Sequence, residues 1–345
     1  MPSLSIIVVC FGGDARALLD ELGRQRGPGD EVLLVDNARD RGGTPWIRAH
    51  PQADVVIDPG GNVGYGAAVN LAASRASGEA LLVLNPDALP LPGCLARLRH
   101  GPDGWGAWMG VVTLPGGRLV NAAGGESHFL GFSWVARYGE PVSALPAAPY
   151  PTAFLSGACM VITQRAWRTV GGYAEDYFLY HEDVDLSHRL RLAGVRFGVV
   201  PDALVSHEYE FLKGDLKWRM LERNRWRTVL RTYPTPLLAC VAPLLIAAEL
   251  GLVVYAASHG WLGAKLRSWW DLLTWLPRAP RERHAVQSTA AVSAAQFAAA
   301  LGYRLDSPFL GQVARRRLLD TALAAYWRAV LLALNGRPRP AGRQP

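Results

Sequence analysis

Three carboxylates crowd into four positions of the segment YFLYHEDVDLSHRLRLAGVRF, residues 177–197: Glu182, Asp183 and Asp185. Like charges repel, so the crowding needs a reason. A helical pattern follows the cluster and ends at Gly194, a residue suited to the position just past a helix end. Carboxylates in a first helical turn are held as anions by the helix dipole, and that alone would make an ordinary helix start. The sharper reading is a general base kept ionised at neutral pH. The aromatic lead-in YFLY favours it, because a solvated cap needs no such neighbours. A second pair of oxygen-bearing side chains, Asn85 and Asp87, lies one residue apart in LNPDA. Oxygen ligands suit Mg²⁺ or Mn²⁺, and such a cation would neutralise a diphosphate. Taken alone, NPD is more simply a type I turn with proline at its second position. The glycines at 61, 64 and 66 in GNVGYG would let the backbone approach a phosphate, although most such runs are ordinary turns. His207, in ALVSHEYE, carries chemistry only where the fold brings it to Asp87.

The elements that must position these groups alternate. LSIIVVCF (4–11), EVLLVDN (31–37), ADVVIDP (53–59) and ALLVLNPDALP (80–90) read as buried strands. ARALLDELGRQ (15–25) and the Ala-rich stretch after the glycine turn (60–78) read as helices. This order predicts an α/β fold with a doubly wound, mostly parallel, Rossmann-like sheet. Ligands of such sheets sit at the carboxyl ends of strands, where Asp36, Asn37, the glycine turn and Asp87 all fall. Residues 104–150 read as irregular with hairpin strands, 151–173 as a strand entering a helix, and 195–211 as a strand and loop. The first turn, CFGGDARA, is not a GxGxxG fingerprint, and no GxxxxGK[ST] loop occurs.

The chain has 345 residues, half of them hydrophobic, enough for a large core and more than one domain. Its four cysteines are dispersed, which disfavours a zinc knuckle or disulfide framework and fits reduced thiols. The opening run reads as a strand rather than a signal peptide, so the catalytic parts are expected on the cytoplasmic side. The net charge of +7 is uneven: residues 1–209 hold 16 Lys+Arg against 21 Asp+Glu, and residues 210–345 hold 20 against 8. The basic half should meet something anionic. Nucleic acid is the weakest candidate, for no zinc-finger, RNP or helix-turn-helix signature interrupts its apolar runs.

That half reads as helical: LKWRMLERNRWRTVLRTYP (216–234), the apolar run 236–258, AQFAAALG, and the stretch 318–336. Residues 236–258 are nearly long enough to cross a bilayer. Pro243 and Glu249 interrupt them, and a central carboxylate costs about 2.5–3.5 kcal/mol on insertion. The expectation is therefore helices lying in the interface of an anionic leaflet, with Trp261, Trp269, Trp270 and Trp275 at the boundary. A soluble helical subdomain, or a homodimer interface, is the other reading.

SIIVVCF, VDN, GNVGYGAAVN, LNPD, FLSGACMVITQRAW, GGYAEDYFLYHEDVDLSHRLRLAG and ERNRW, in this order and spacing, resemble family 2 glycosyltransferases. The likeness is to the bacterial rhamnosyltransferase-like branch that builds cell-surface polysaccharides, and it covers residues 4–230. The resemblance implies a GT-A fold, inversion at the anomeric carbon, a nucleotide-diphosphate sugar donor (dTDP- or UDP-linked, rhamnose first) and Mg²⁺ or Mn²⁺. It implies as acceptor a glycan or a polyprenyl-diphosphate-linked sugar at the cytoplasmic face of the plasma membrane. By position, Asp36 and Asn37 would meet the base and Asn62 and Gly64 the nucleotide. Asn85 stands where many relatives have the first Asp of a DxD-type motif. Asp87 and His207 would hold the metal, and Gly157 would lie beneath the sugar. Asp183 would be the catalytic base, Glu182 would face the acceptor or support the base from behind, and Asp185 would orient Arg189. Arg223 and Asn224 match an RN pair that would touch phosphate. The expected division is a catalytic domain over 1–230, a helical membrane-interfacial region over 231–336 and a disordered tail over 337–345. The competing reading is a catalytically idle member serving as a membrane-bound assembly subunit, and Asn85 is its support.

Overall fold

The computed structural model describes residues 2–38, 44–207, 214–307 and 317–335, so the expected tail lies outside the described residues. Two compact units are present. The first takes the described residues of Met1–Gly125, Val135–Leu190 and Val195–Leu212, and the second those of Glu126–Trp134, Arg191–Gly194 and Lys213–Pro345.

The first unit is a mixed α/β layer around a mostly parallel sheet. Its strands are β1 (Leu4–Cys10), β2 (Glu31–Asp36), β3 (Val55–Ile57), β4 (Ala80–Leu84), β5 (Ala88–Pro90), β6 (Trp105–Thr113) and β7 (Val120–Ala122). A short ribbon, β8 (Gly125–Ser127) with β9 (Ser133–Val135), stands apart, and β10 (Tyr150–Pro151), β11 (Cys159–Thr163) and β12 (Arg196–His207) complete the sheet. The order is β10-β12-β6-β11-β4-β1-β2-β3, with β5 on β12 and β7 on β6. β1 runs parallel to β2 and β4, β2 to β3, and β6 to β12, whereas β11 lies antiparallel between β4 and β6.

All seven residues of β1 are buried, as a strand covered on both faces requires. Each such Leu, Ile or Val contributes about 1.5–3 kcal/mol by leaving water. The helices α1 (Arg16–Gln25), α2 (Tyr65–Ala73), α3 (Cys94–Arg99), α4 (Gln164–Val170) and α5 (Glu182–Leu192) connect these strands. The expectation of irregular structure over 104–150 is corrected at its start, because Trp105–Thr113 is a central strand. Its glycines and tryptophans masked it. Gly110 fits only because a Cβ there would stand 2.7 Å from the Ala203 carbonyl of β12.

The second unit consists of helices α6 (Asp215–Thr232), α7 (Thr235–Ser258), α8 (Leu262–Trp275), α9 (Ala279–Gln287), α10 (Ala294–Ala298) and α11 (Arg317–Asn335). Its core gathers Phe129, Val229, Tyr233, Leu245, Phe297 and Trp327, with the Phe129 and Trp327 rings stacked 4.9 Å apart. α7 continues unbroken through Pro243 and is, by length and composition, the one helix among the described residues able to cross a membrane. Glu249 on α7 is buried and bonded. Its carboxylate accepts from Arg225 Nη2 at 2.6 Å, from Lys265 Nζ and from Trp269 Nε1. Arg225 and Lys265 also hold Glu222. Trp261 and Trp275 are buried in this unit, which corrects their expected place at a boundary; each ring fills core space, while Trp270 is the exposed one.

Candidate active site

Sheet register explains why distant motifs meet. β4 ends at Leu84, paired with Cys159 at the start of β11, so the NPD turn and the Gly157 loop lie side by side, with Asn85 N donating to the Ala158 carbonyl at 3.2 Å. His207 ends β12 opposite Ala88 of β5, next to Asp87. β1 and β2 end together, where Asn37 N donates to the Cys10 carbonyl. These are carboxyl ends of parallel strands, where such sheets bind ligands.

The segment before α5 is bent hard. Phe178, Tyr180 and His181 have φ of 64°, 66° and 69°, a left-handed region costing about 1 kcal/mol or more for each non-glycine residue. Neighbours impose the bend. The Phe178 carbonyl accepts from Tyr65 N at 2.7 Å, and Gly64 admits that approach because a Cβ there would stand 2.7 Å from the same oxygen. The glycine turn and the acidic corner are thereby locked together. The expected helix follows, with all three acids in its first turn.

The three acids have different fates. Asp185 is fully buried, accepts from Arg189 Nε at 2.7 Å and from the Tyr177 hydroxyl at 3.1 Å, and is a structural anchor. Asp183 accepts from Val184 N at 2.8 Å and reaches toward Gly157 N at 3.4 Å. Burial pushes its carboxyl above the ordinary range, against those two amides. Glu182 is raised too, by burial and then by Asp183, and its Oε2 has no hydrogen-bond partner among the described residues.

From Asp183 the contacts run on to the NPD turn. The Tyr65 hydroxyl donates to the Gly157 carbonyl at 3.0 Å and lies 3.3 Å from Asn85 Oδ1. The Tyr173 hydroxyl is buried with no bond among the described residues, and Asn70 fixes its backbone on both sides at 2.9 Å. Tyr65 and Tyr173 pack edge to face, and both phenols are raised by burial and by the nearby carboxylates. A Cβ on Gly157 would meet both hydroxyls at 3.4–3.5 Å, which is ordinary contact. Sequence reasoning passed over both tyrosines; the one cue was their place beside quoted glycines, in GYG and GGY.

On the β2 side, Asp36 is buried and accepts from Thr44 N and Oγ1, each at 3.0 Å. Asn37 Nδ2 donates to Asn62 Oδ1 at 3.0 Å, Asn37 Oδ1 accepts from Val63 N, and Asn62 Oδ1 also accepts from Gly64 N. The amide ladder fixes the loop, and Thr44 is a partner the sequence did not announce. Arg223 and Asn224 belong to the second unit, where Arg223 Nε donates to Asn224 Oδ1 at 2.8 Å.

His207 Nε2 lies 3.0 Å from Asp87 Oδ1, with the imidazole buried and the carboxylate half exposed. Among the described residues no group of three or more His, Cys, Asp or Glu forms a cage. A half-open carboxylate with one imidazole fits a hard divalent cation that takes its remaining ligands from a phosphate and water.

In three dimensions the chain is similar to the solved structure described as GalNAc-T7 with UDP, GalNAc and Mn2+, at a TM-score of 0.55 and 14% identity, over 72% of this chain and 51% of that one. The fold is of the GT-A type. Residues 82–279 match glycosyl transferase family group 2, and residues 5–100 match glycosyl transferase family 2. The chain belongs to the family 2 glycosyltransferases. Among curated relatives it is 33% identical, over 204 residues, to the N-acetylglucosaminyl-diphospho-decaprenol L-rhamnosyltransferase of Mycobacterium tuberculosis, a match covering 51% of this chain and 66% of that protein. It is 31% identical, over 222 residues, to the O-antigen biosynthesis protein RfbC of Myxococcus xanthus, covering 58% of this chain and 17% of that protein.

Proposed function

We propose that this protein is an inverting glycosyltransferase that moves a sugar, rhamnose first, from a dTDP- or UDP-linked donor to a hydroxyl of a cell-surface glycan or lipid-linked acceptor. The observation that carries the proposal is the placement of Asp183: a half-buried carboxylate without a cation partner among the described residues, joined through Gly157 and Tyr65 to the Asn85 turn. Asp183 takes the proton of the acceptor hydroxyl. The acceptor oxygen bonds to C1 from the face opposite the diphosphate, the C1–O bond to the diphosphate breaks, and the leaving group keeps the electron pair. Glu182 offers a carboxyl to the acceptor. Gly157 leaves room for the sugar ring, and Asp36, Asn37, Asn62 and Gly64 line the nucleotide side. Asp87 and His207 would hold Mg²⁺ or Mn²⁺, which supplies positive charge against the departing diphosphate.

The relative's name specifies a decaprenol-linked acceptor. It supports a polyprenyl-diphosphate acceptor here, and with it a peripheral placement of the helical unit on the cytoplasmic face of the membrane. The test is a panel of dTDP-, UDP- and GDP-sugars with Mg²⁺ or Mn²⁺, read as thermal stabilisation and as release of nucleoside diphosphate. A donor at a hundred times its Kd adds about 2.7 kcal/mol. Stabilisation without release would favour an idle assembly subunit, and no stabilisation by any donor would sink the assignment.

A further inference from the structure

The hairpin of α7 and α8 displays a large apolar surface. Ile246, Leu250 and Val254 recur along α7, and Leu266, Trp270 and Leu273 along α8, each between 48% and 71% exposed. Monomers in water rarely leave such a surface bare.

The two stripes face the same way. A three-residue link joins the helices, and Glu249, nine residues before the end of α7, contacts Lys265 and Trp269 early in α8, so the pair runs antiparallel. In right-handed antiparallel helices, the residue after each inward contact turns to the same side of the hairpin. Leu250 follows Glu249, Leu266 follows Lys265, and Trp270 follows Trp269. The opposite side is core: Val241, Leu245, Ala264, Ser268 and Trp275 are buried there.

Charge selects what covers the surface. The two helices carry only two carboxylates, Glu249 and Asp271; the first is bonded to Arg225 and Lys265, and the second to Arg219 at 2.7 Å. Arg267 is exposed on α8, where it also meets the exposed Asp215 at 3.3 Å, and Arg278 and Arg281 are exposed just beyond its end. A second copy of the chain would bring the same cationic excess of 20 Lys+Arg over 8 Asp+Glu in residues 210–345, whereas an anionic surface complements it. α7 is also pinned: crossing a bilayer would strip Glu249 from Arg225 and Lys265 and leave those cations buried without a counter-charge.

We propose that the α7–α8 hairpin is a monotopic docking face for an anionic phospholipid bilayer. The six apolar side chains enter the headgroup–acyl boundary, and Arg267, Arg278 and Arg281 meet lipid phosphates. This deepens the peripheral placement proposed above and rests on it. The test is flotation of the full-length protein with vesicles of pure phosphatidylcholine or of phosphatidylcholine with a third phosphatidylglycerol. Wild type is expected to float with the anionic vesicles, to be released by alkaline carbonate, and to bind at least tenfold better than I246E/L250E/W270E. Circular dichroism of that variant checks the fold, and brominated lipid is expected to quench wild-type fluorescence by a component missing in W270F. Wild type that fails to float overturns the placement itself. Wild type that floats as well as the triple variant overturns this face while the placement stands. Resistance to carbonate, or a dimer that the triple variant dissociates, overturns it in favour of a span or of self-association.

Discussion

Two acidic pairs are withdrawn from bulk solvent in this molecule, Asp183 less deeply than the other three carboxylates, and they have been given opposite surroundings. In the helical unit, burial raises the pKa of Glu222, but Arg225 and Lys265 outweigh it and bring the group down to about 2; Glu249 is lowered by the same two cations. In the α/β unit, Glu182 is as deeply buried and Asp183 is half-buried, and no ion pair reaches either among the described residues, so desolvation wins and both are raised. Cations turn a buried carboxylate into a fastener. Their absence leaves a group that exchanges protons near neutrality, and that is what a general base requires.

Breaking each pair should therefore fail in different currencies. Asp183→Asn is expected to cut turnover by about 10²–10⁴-fold while donor affinity stays within about threefold, read from initial rates and donor titration. Turnover equal to wild type would remove Asp183 from the reaction. Glu249→Ala is expected to cost about 3–5 kcal/mol in stability, because Arg225 and Lys265 lose half of their compensation. Denaturant unfolding checks it, and a loss below about 1 kcal/mol would mean that the network contributes little.

These two clusters also show what a sequence can disclose. HEDVD stood out as a candidate corner because three acids crowd into four positions; Asp185 proved to be locally paired with Arg189, which leaves Glu182 and Asp183 as the candidates. The strands 4–10, 31–36 and 80–84 were legible because full burial demands unbroken apolar runs. The helical unit's fastener was not: Glu249 read as a flaw in an apolar helix, since Arg225 and Lys265 lie 24 and 16 residues away along the chain. β6 was hidden for a related reason, because Gly106 and Gly110 report close packing by neighbours that the linear order does not reveal. Tyr65 and Tyr173 were missed because a single tyrosine carries no spacing signal.

Acid and alkali should separate the pairs further. Glu182 has its folded pKa raised above the unfolded value, so its contribution to stability is complete below about pH 4 and is lost as pH rises through the raised pKa. Glu182→Gln is therefore expected to gain stability on wild type between about pH 5 and pH 8, shown by paired melting curves. Glu222 has its folded pKa lowered, so its contribution is present above about pH 4.5 and lost as pH falls toward 2. Glu222→Gln should be weakest against wild type near neutrality and approach it in acid. Turnover should meanwhile fall on the acid side with a midpoint above the ordinary carboxylate range, because Asp183 must be ionised to accept a proton. Two stability differences that moved in the same direction with pH would erase the contrast.

The smallest effect expected is at Gly157. An alanine Cβ would sit 3.4 Å from the Tyr173 hydroxyl and 3.5 Å from Tyr65, so nothing in the fold must shift. A stability change under about 1 kcal/mol follows, in keeping with ordinary packing. The added methyl nevertheless stands against those hydroxyls, on a residue whose N–H approaches Asp183, and on the proposed reading it crowds the sugar ring. Gly157→Ala should raise the donor KM several-fold and leave the melting temperature nearly unchanged. The reverse pattern, a lower melting temperature with donor KM intact, would make this glycine a packing residue of β11 and would move the sugar away from it.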